Sequence, residues 1–289
     1  MKDRAVVLGG GGPVGIAWET GVAAGLALEG VKLADADFIL GTSAGSFVGA
    51  QLAGGRDPQQ LAAQQIELGR NPPARPAGAP TSAPDLTPLM SFIARFPPDG
   101  EPSPELRAEI GQFALSSQAM FTEDQFIAVL SDAASKDGSW PEKFACSAVD
   151  VETGDFKLWR KGDGVPLPRG VASSCAVPGI YPPIAIRGKR WMDGGMRSAT
   201  CLDCAAGYRR VICLAVVPTM ARTFMQARLD REATKVTAEG GQVEVIVPDD
   251  ASGAAFGVNL MDATRRADIT AAGIAQGRRE AERLKAFWS

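Results

Sequence analysis

Within its first 55 residues the chain passes twice from a short apolar run into a helix-forming stretch, and glycine makes both junctions. Ala5-Val6-Val7-Leu8 reads as a short buried parallel strand, and Gly9 to Gly12 follow without a break. A helix is expected from about Val14 to Glu29, with Gly30 closing it and Ile16, Thr20, Ala23 and Ala27 on one face. Phe38-Ile39-Leu40 is a second strand that feeds the turn Gly41-Thr42-Ser43-Ala44-Gly45. The next helix runs from Ala44 to about Ala53 and stops at Gly54-Gly55. Strand, helix, strand, helix at this spacing implies a parallel sheet with right-handed crossovers.

The whole chain of 289 residues suits one large α/β domain, or one domain with an appended cap, with no internal repeat and no linker that clearly divides it. Residues 71–104 hold 10 of the 20 prolines, too many for a regular sheet or a long helix, and are read as a lid or insertion. Residues 105–134 return to helical patterning. Phe144 to Val151 and Phe156 to Arg160 read as a hairpin around Glu152-Thr153-Gly154-Asp155. Pro166 to Arg169 reads as extended, and Val171 to Val177 as a short helix. Ile184 to Arg187 and Lys189 to Met192 form a second hairpin that delivers Asp193-Gly194-Gly195. A strand follows over Arg210 to Val217, then a charged helix over Met220 to Ala238, a strand over Val243 to Val247, and helix from Leu260 to Phe287. Residues 1–218 are taken as the catalytic domain, and 219–289 as a helical and strand extension packed on it.

Composition excludes several kinds of chemistry. The chain has no histidine, so it cannot hold a Ser-His-Asp triad, a Cys-His dyad or a histidine-ligated metal. A base must be Asp, Glu, Lys, Tyr or water. Five cysteines are an odd number scattered among apolar residues, which reads as buried free thiols. Cys201-Leu202-Asp203-Cys204 lacks the second pair a zinc site needs, so no metal and no cofactor is expected. A net charge of -3 leaves no basic footprint for nucleic acid. The sequence opens without a signal-peptide pattern, and no apolar run approaches the about 20 residues of a membrane span, so a cytoplasmic protein is expected.

Three elements carry the chemistry. Gly41-Thr42-Ser43-Ala44-Gly45 is a Gly-x-Ser-x-Gly turn between a strand and a helix, the pattern of a nucleophile elbow, with Gly41 and Gly45 leaving room for the backbone to double back around Ser43. The plainer reading is a serine that caps a helix. In Gly9-Gly10-Gly11-Gly12-Pro13-Val14-Gly15, no Cβ blocks approach to consecutive N–H groups. Gly10, Gly11, Gly12 and Ala44 are therefore the candidate donors for an oxyanion. Gly10, Gly12 and Gly15 also fit a dinucleotide fingerprint, but Asp35 and Asp37 precede the second strand instead of ending it. Asp193, followed by Gly194 and Gly195, puts a carboxylate at a hairpin tip, where burial would raise its pKa toward that of a useful base. Asp150 and Asp203 are the other carboxylates that could serve.

Together the glycine loop, the serine elbow and Asp-Gly-Gly resemble the patatin-like phospholipase family, from about Val6 to Ala206. Ala172-Ser173-Ser174-Cys175-Ala176-Val177-Pro178-Gly179 and Pro182-Pro183 resemble the segment before that family's aspartate. The resemblance implies a three-layer α/β/α fold around a mostly parallel sheet. It implies a Ser-Asp dyad of Ser43 and Asp193, and metal-free hydrolysis of lipid esters. Pro13-Val14 stands where the family's loop commonly carries Arg or Lys. A cation there would help bind a phosphate head group or support the loop, so neutral lipids and small esters stay open as substrates.

The function expected is a serine lipid acyl hydrolase acting on a lipid or ester. The alternatives are a non-catalytic lipid or acyl-carrier binding protein on the same fold, and nucleotide binding through the glycine loop. Met220, Phe224 and Met225 lie among arginines at one end of a helix. The simpler reading of that helix is a packed element with a solvated face. The other is peripheral contact with a bilayer.

Overall fold

A computed structural model describes residues 2–72, 84–98, 100–131, 139–218 and 221–289. Residues 73–83 and 99 of the Pro-rich segment, and Met220, lie outside this set. The elements that matter for the site are β1 (Lys2–Leu8), α1 (Gly12–Leu28), β2 (Phe38–Gly41), α2 (Ala44–Ala53), α3 (Pro58–Arg70), α4 (Thr87–Ile93), α5 (Pro104–Ser116) and α6 (Glu123–Val129). They continue with β3 (Phe144–Asp150), β4 (Phe156–Arg160), α7 (Leu167–Ser174), β5 (Ile184–Ile186), β6 (Lys189–Asp193), β7 (Tyr208–Leu214), α8 (Arg222–Ala238), β8 (Gln242–Ile246), α9 (Asp250–Phe256) and α10 (Arg266–Trp288).

The sheet runs β5-β6-β3-β2-β1-β7-β8, with β4 paired to β3. Strands β3, β2, β1, β7 and β8 are parallel to one another, while β4, β5 and β6 enter by antiparallel pairing. Alternation along the central strands divides the core. Val6, Leu8, Ile39, Ile212 and Leu214 face one layer, while Ala5, Val7, Leu40, Val211 and Cys213 face the other. The first layer holds α1, α2 and α10; the second is closed by α8 through Leu229 and Val236. This is the mostly parallel α/β/α arrangement expected. A third apolar cluster joins Leu89 and Phe96 to Ile110, Val149 and Met192 beyond one end of the sheet.

Helix α1 is buried from Val14 to Leu26 except at Ile16, because the sheet covers one side and α10 the other. A Cβ at Gly25 would sit 2.2 Å from the Ile274 carbonyl, and one at Gly277 would sit 2.4 Å from the Val22 carbonyl. The two helices therefore touch backbone to backbone and fix the glycine loop that opens α1.

Several elements depart from sequence expectation. Residues 167–169 are helical, not extended: Pro166 caps α7, and Pro168 sits in its first turn, where a missing N–H costs nothing. The strand expected over Arg210 to Val217 starts at Tyr208 and ends at Leu214. Helix α9 has no counterpart in the sequence pattern; Asp249 caps it through the Ser252 amide at 2.8 Å. All five cysteines are free thiols. Among the described residues no helix is long and apolar enough to cross a membrane.

Candidate active site

Residues 150 apart in sequence meet because two strands end at the middle of a third. Strand β2 lies parallel to β3 and its last residue, Gly41, pairs with Cys146. Strand β6 lies antiparallel to β3 and its last residue, Asp193, pairs with Ala148. The two C-terminal ends thus run toward each other and stop either side of Ser147. That serine joins the two turns: its Oγ lies 2.8 Å from the Thr42 Oγ1, and a Cβ at Gly194 would fall 2.0 Å from it. Glycine at 194 is required by that contact.

Ser43 follows β2 with φ 52° and ψ −118°, a left-handed conformation that L-residues rarely adopt. It occupies the N-cap of α2 but makes no side-chain capping bond, so its hydroxyl is not spent on the helix. The turn closes tightly. A Cβ at Gly41 would lie 2.3 Å from the Ser46 Cα, and one at Gly45 would lie 2.1 Å from the Leu8 carbonyl. Both motif glycines are therefore steric requirements. Gly15 packs against Ala44, its virtual Cβ 3.1 Å from that side chain, which ties the start of α1 to the start of α2.

Residues 174–176 hold both sides of the site. The Ser43 N–H donates to the Ser174 Oγ at 3.0 Å, and the Cys175 thiol donates to the Ser43 carbonyl at 3.1 Å. The Asp193 N–H donates to the Ala176 carbonyl at 3.0 Å. Sequence reasoning gives this segment no role of its own. The available signal is a pair of hydroxyl residues, Ser173-Ser174, in an otherwise apolar helix end. Ser147, likewise unassigned, is a hydroxyl inside a strand whose every residue is buried.

The Asp193 carboxyl is buried. Its Oδ1 accepts from the Gly195 N–H at 2.7 Å, while Oδ2 makes no hydrogen bond of good geometry among the described residues. Burial pushes its pKa up to about 7; the Gly195 amide and the nearby Ser43 hydroxyl oppose that rise. The other two carboxylates are committed elsewhere. Asp150 pairs with Lys189 at 2.6 Å and accepts from the Glu152 and Thr153 amides. Asp203 pairs with Arg197 at 2.6 Å and with Lys235 at 3.2 Å.

The glycine loop divides between two uses. Gly9 and Gly10 are tied down, their N–H groups donating to Leu214 and Ala199 carbonyls at 3.0 and 2.7 Å. The expectation that Gly10 offers a free donor is thereby corrected: the Ala199 carbonyl takes it. The N–H groups of Gly11, Gly12 and Ala44 have no backbone acceptor among the described residues, as befits residues at helix starts. Gly12 has φ +57°, and a Cβ on Gly11 would strike the Val216 side chain at 2.6 Å. Neither position admits a side chain without strain.

Gly10, Gly11, Gly12, Ser43 and Asp193 line one cavity of about 340 Å³. Its other walls are overwhelmingly apolar: Leu89, Ile93 and Phe96 come from the Pro-rich segment, and Met196, Val216 and Met261 from the opposite side. Phe224 and Met225 also face this cavity, which gives them a packing partner within the chain. The Gly10-Gly12-Gly15 fingerprint has no ribose-binding acid: Asp37 sits before β2, with its Oδ2 accepting from the Arg4 N–H at 3.0 Å.

No curated protein matches the chain at a significant level. Among solved structures it is similar to VipD from Legionella pneumophila, at 11% identity and a TM-score of 0.48, covering 98% of this chain and 67% of that one. It is also similar to the type III effector protein ExoU, at 14% identity and a TM-score of 0.41, covering 98% of this chain and 53% of that one. The family model described as patatin-like phospholipase matches residues 6–205, from within β1, through the elbow, to the residues just past Asp193-Gly194-Gly195. The chain belongs to the patatin-like phospholipase family.

Proposed function

We propose that the chain is a serine-dependent lipid acyl hydrolase working through Ser43 and Asp193. The Ser43 oxygen attacks the ester carbonyl carbon while its proton passes to the free Oδ2 of Asp193. The carbonyl oxygen becomes an oxyanion and is held by the N–H groups of Gly11, Gly12 and Ala44. Collapse expels the alcohol, which takes the proton from Asp193 and leaves the acyl group on Ser43. Water then attacks the acyl-serine, giving its proton to Asp193, and a second collapse returns that proton to Ser43 and frees the fatty acid.

One observation carries this reading. A serine with φ 52°, whose hydroxyl does not cap its helix, shares an apolar cavity with a buried carboxyl whose pKa is pushed up to about 7. Strain of this kind, which costs about 1–3 kcal/mol, persists where the surroundings enforce it and marks functional positions. A carboxyl titrating near neutrality suits a general base better than one near 4. Family membership supports lipid hydrolysis as the broad activity.

The test is labelling by a fluorophosphonate, together with hydrolysis of chromogenic esters and phospholipids. Wild-type protein should label at Ser43 and release fatty acid. Ser43→Ala should do neither, and Asp193→Asn should retain only a small fraction of turnover. Full activity in Asp193→Asn would remove the aspartate from the mechanism even with Ser43 labelled.

A further inference from the structure

Three arginines line the cavity, Arg197, Arg228 and Arg231, and the proposed hydrolysis uses none of them. Arg228 projects from α8 into the cavity wall, stacked on the Phe96 ring at 5.2 Å and on the Phe224 ring at 4.6 Å. Its Nη2 donates to the Pro97 carbonyl at 2.6 Å, and its Nε is buried with no acceptor. Among the described residues it makes no ion pair.

The charges around it are otherwise matched. Glu101 and Asp203 both contact Arg197, at 2.7 and 2.6 Å, and Lys235 reaches the same two carboxylates at 3.4 and 3.2 Å. Glu232 accepts from the Ser198 and Thr200 hydroxyls and the Leu202 amide, and Arg231 stands between Glu232 at 3.7 Å and Glu101 at 3.6 Å. Three carboxyl groups thus face Arg197, Arg231 and Lys235. Arg228 is left over, and burial followed by repulsion from Arg231 lowers its pKa, with Glu232 only partly opposing. A half-desolvated guanidinium without a counter-ion is costly to maintain, and its planar fork suits an oxyanion that accepts two parallel hydrogen bonds.

We propose that Arg228 is an anion subsite of this cavity that binds the phosphate of a phosphorylated ester substrate and so selects phospholipids over neutral glycerides. The inference rests on the hydrolase reading above. Phe96 and Phe224 hold the guanidinium flat, and the cavity's apolar walls take the acyl chain beside it.

The experiment compares two soluble esters that differ only in the phosphoglycerol head group, dihexanoylphosphatidylglycerol and dihexanoylglycerol. Wild-type protein should favour the phosphorylated ester in kcat/KM by about tenfold or more, mainly through KM. Arg228→Met should abolish that ratio, and Arg228→Lys, which keeps the charge without the fork, should restore part of it. A structural tether to Pro97 would instead lower kcat/KM for both esters alike and leave the ratio in place, which would overturn the proposal. Glycerophosphoglycerol and inorganic phosphate, tested as ligands by their shift of the thermal midpoint, distinguish a head-group site from a general phosphate site. This readout does not need turnover. A midpoint shift in wild type that is lost in Arg228→Met, with neither ester cleaved, would keep the subsite and reject the hydrolase. Cleavage with no preference, or no Arg228-dependent shift, would reject the subsite.

Discussion

The backbone N–H of Ser43 donates to the side-chain oxygen of Ser174 at 3.0 Å, so the strained turn at the end of β2 is anchored by the C-terminus of a helix 131 residues away. The next residues continue the anchor, Cys175 to the Ser43 carbonyl and Ala176 to the Asp193 amide. One short segment thereby sets the position of both proposed catalytic side chains. It does so by holding main-chain groups of Ser43 and Asp193, through the side chains of Ser174 and Cys175 and the carbonyl of Ala176.

Ser174→Ala should accordingly weaken both stability and turnover. Ser174 is fully buried, and removing its hydroxyl leaves the Ser43 amide without an acceptor, at a cost of about 1–3 kcal/mol. The loss should appear in kcat more than in KM, because the displaced group is the nucleophile and not a binding wall. Denaturant unfolding and steady-state kinetics on one ester suffice to check it. An unchanged kcat would mean that the turn holds its shape without Ser174.

Ser43 itself allows a separation of stability from activity. Both Ser43→Ala and Ser43→Gly should abolish hydrolysis, but only glycine accepts φ 52° and ψ −118° without strain. Relief of about 1–3 kcal/mol of strain should outweigh the about 0.5–1 kcal/mol that glycine's extra freedom costs in the unfolded chain. Ser43→Gly is thus expected to unfold at higher denaturant concentration than Ser43→Ala. The reverse order would show that the turn is unstrained.

Much of this was legible in the sequence, and the reason is local. Glycine runs, a strand-turn-helix pattern and period-2 alternation are short-range signals, so β1, α1, β2, α2 and the hairpin ending at Asp193 could be read directly. The meeting of Gly41 and Asp193 at Cys146 and Ala148 is a matter of register across β3, and no single stretch of sequence encodes it. The same holds for Ser147, whose partner Thr42 is 105 residues distant. At Gly10 the sequence misleads, because a glycine run declares that donors are accessible, whereas which amide is already taken depends on Ala199 from another part of the chain. Arg228 was legible only as one of several arginines; its lack of a counter-ion becomes visible once Glu101, Asp203 and Glu232 are placed.

Gly45→Ala should be among the most damaging single-methyl changes in the protein. The added carbon would fall 2.1 Å from the Leu8 carbonyl, a backbone atom paired into the sheet that cannot swing aside. Gly49→Ala on the same helix meets only side-chain atoms, the nearest at 3.1 Å, which can yield by a few tenths of an ångström. Gly45→Ala is expected to cost more than about 4 kcal/mol, or to prevent folding outright, and Gly49→Ala about 1 kcal/mol. Soluble yield and thermal midpoint compare the two, and equal behaviour would mean that α2 can move off β1.

The proposed base makes a linked prediction about pH. Asp193 has its pKa raised from 3.8 to about 7 in the folded protein, mainly by burial, so the carboxylate form that accepts the Ser43 proton fills as pH rises through about 7. The rate kcat/KM should climb along one limb with its midpoint near there, and Asp193→Asn should lose both the limb and about 10² to 10⁴ of the rate. Stability runs the opposite way. Because the folded pKa lies above the unfolded one, the contribution of Asp193 is fully present below about 4, falls as pH rises toward about 7, and stays low beyond it. The total is on the order of a few kcal/mol, since a tenfold change in an acid dissociation constant is worth about 1.4 kcal/mol. Asp193→Asn, which cannot ionise, should therefore melt higher than wild type at pH 8 and lose that advantage at pH 4. A fixed difference between the two proteins across that range, or an activity limb centred near 4, would mean that Asp193 is solvated as an ordinary carboxylate and is not the buried base.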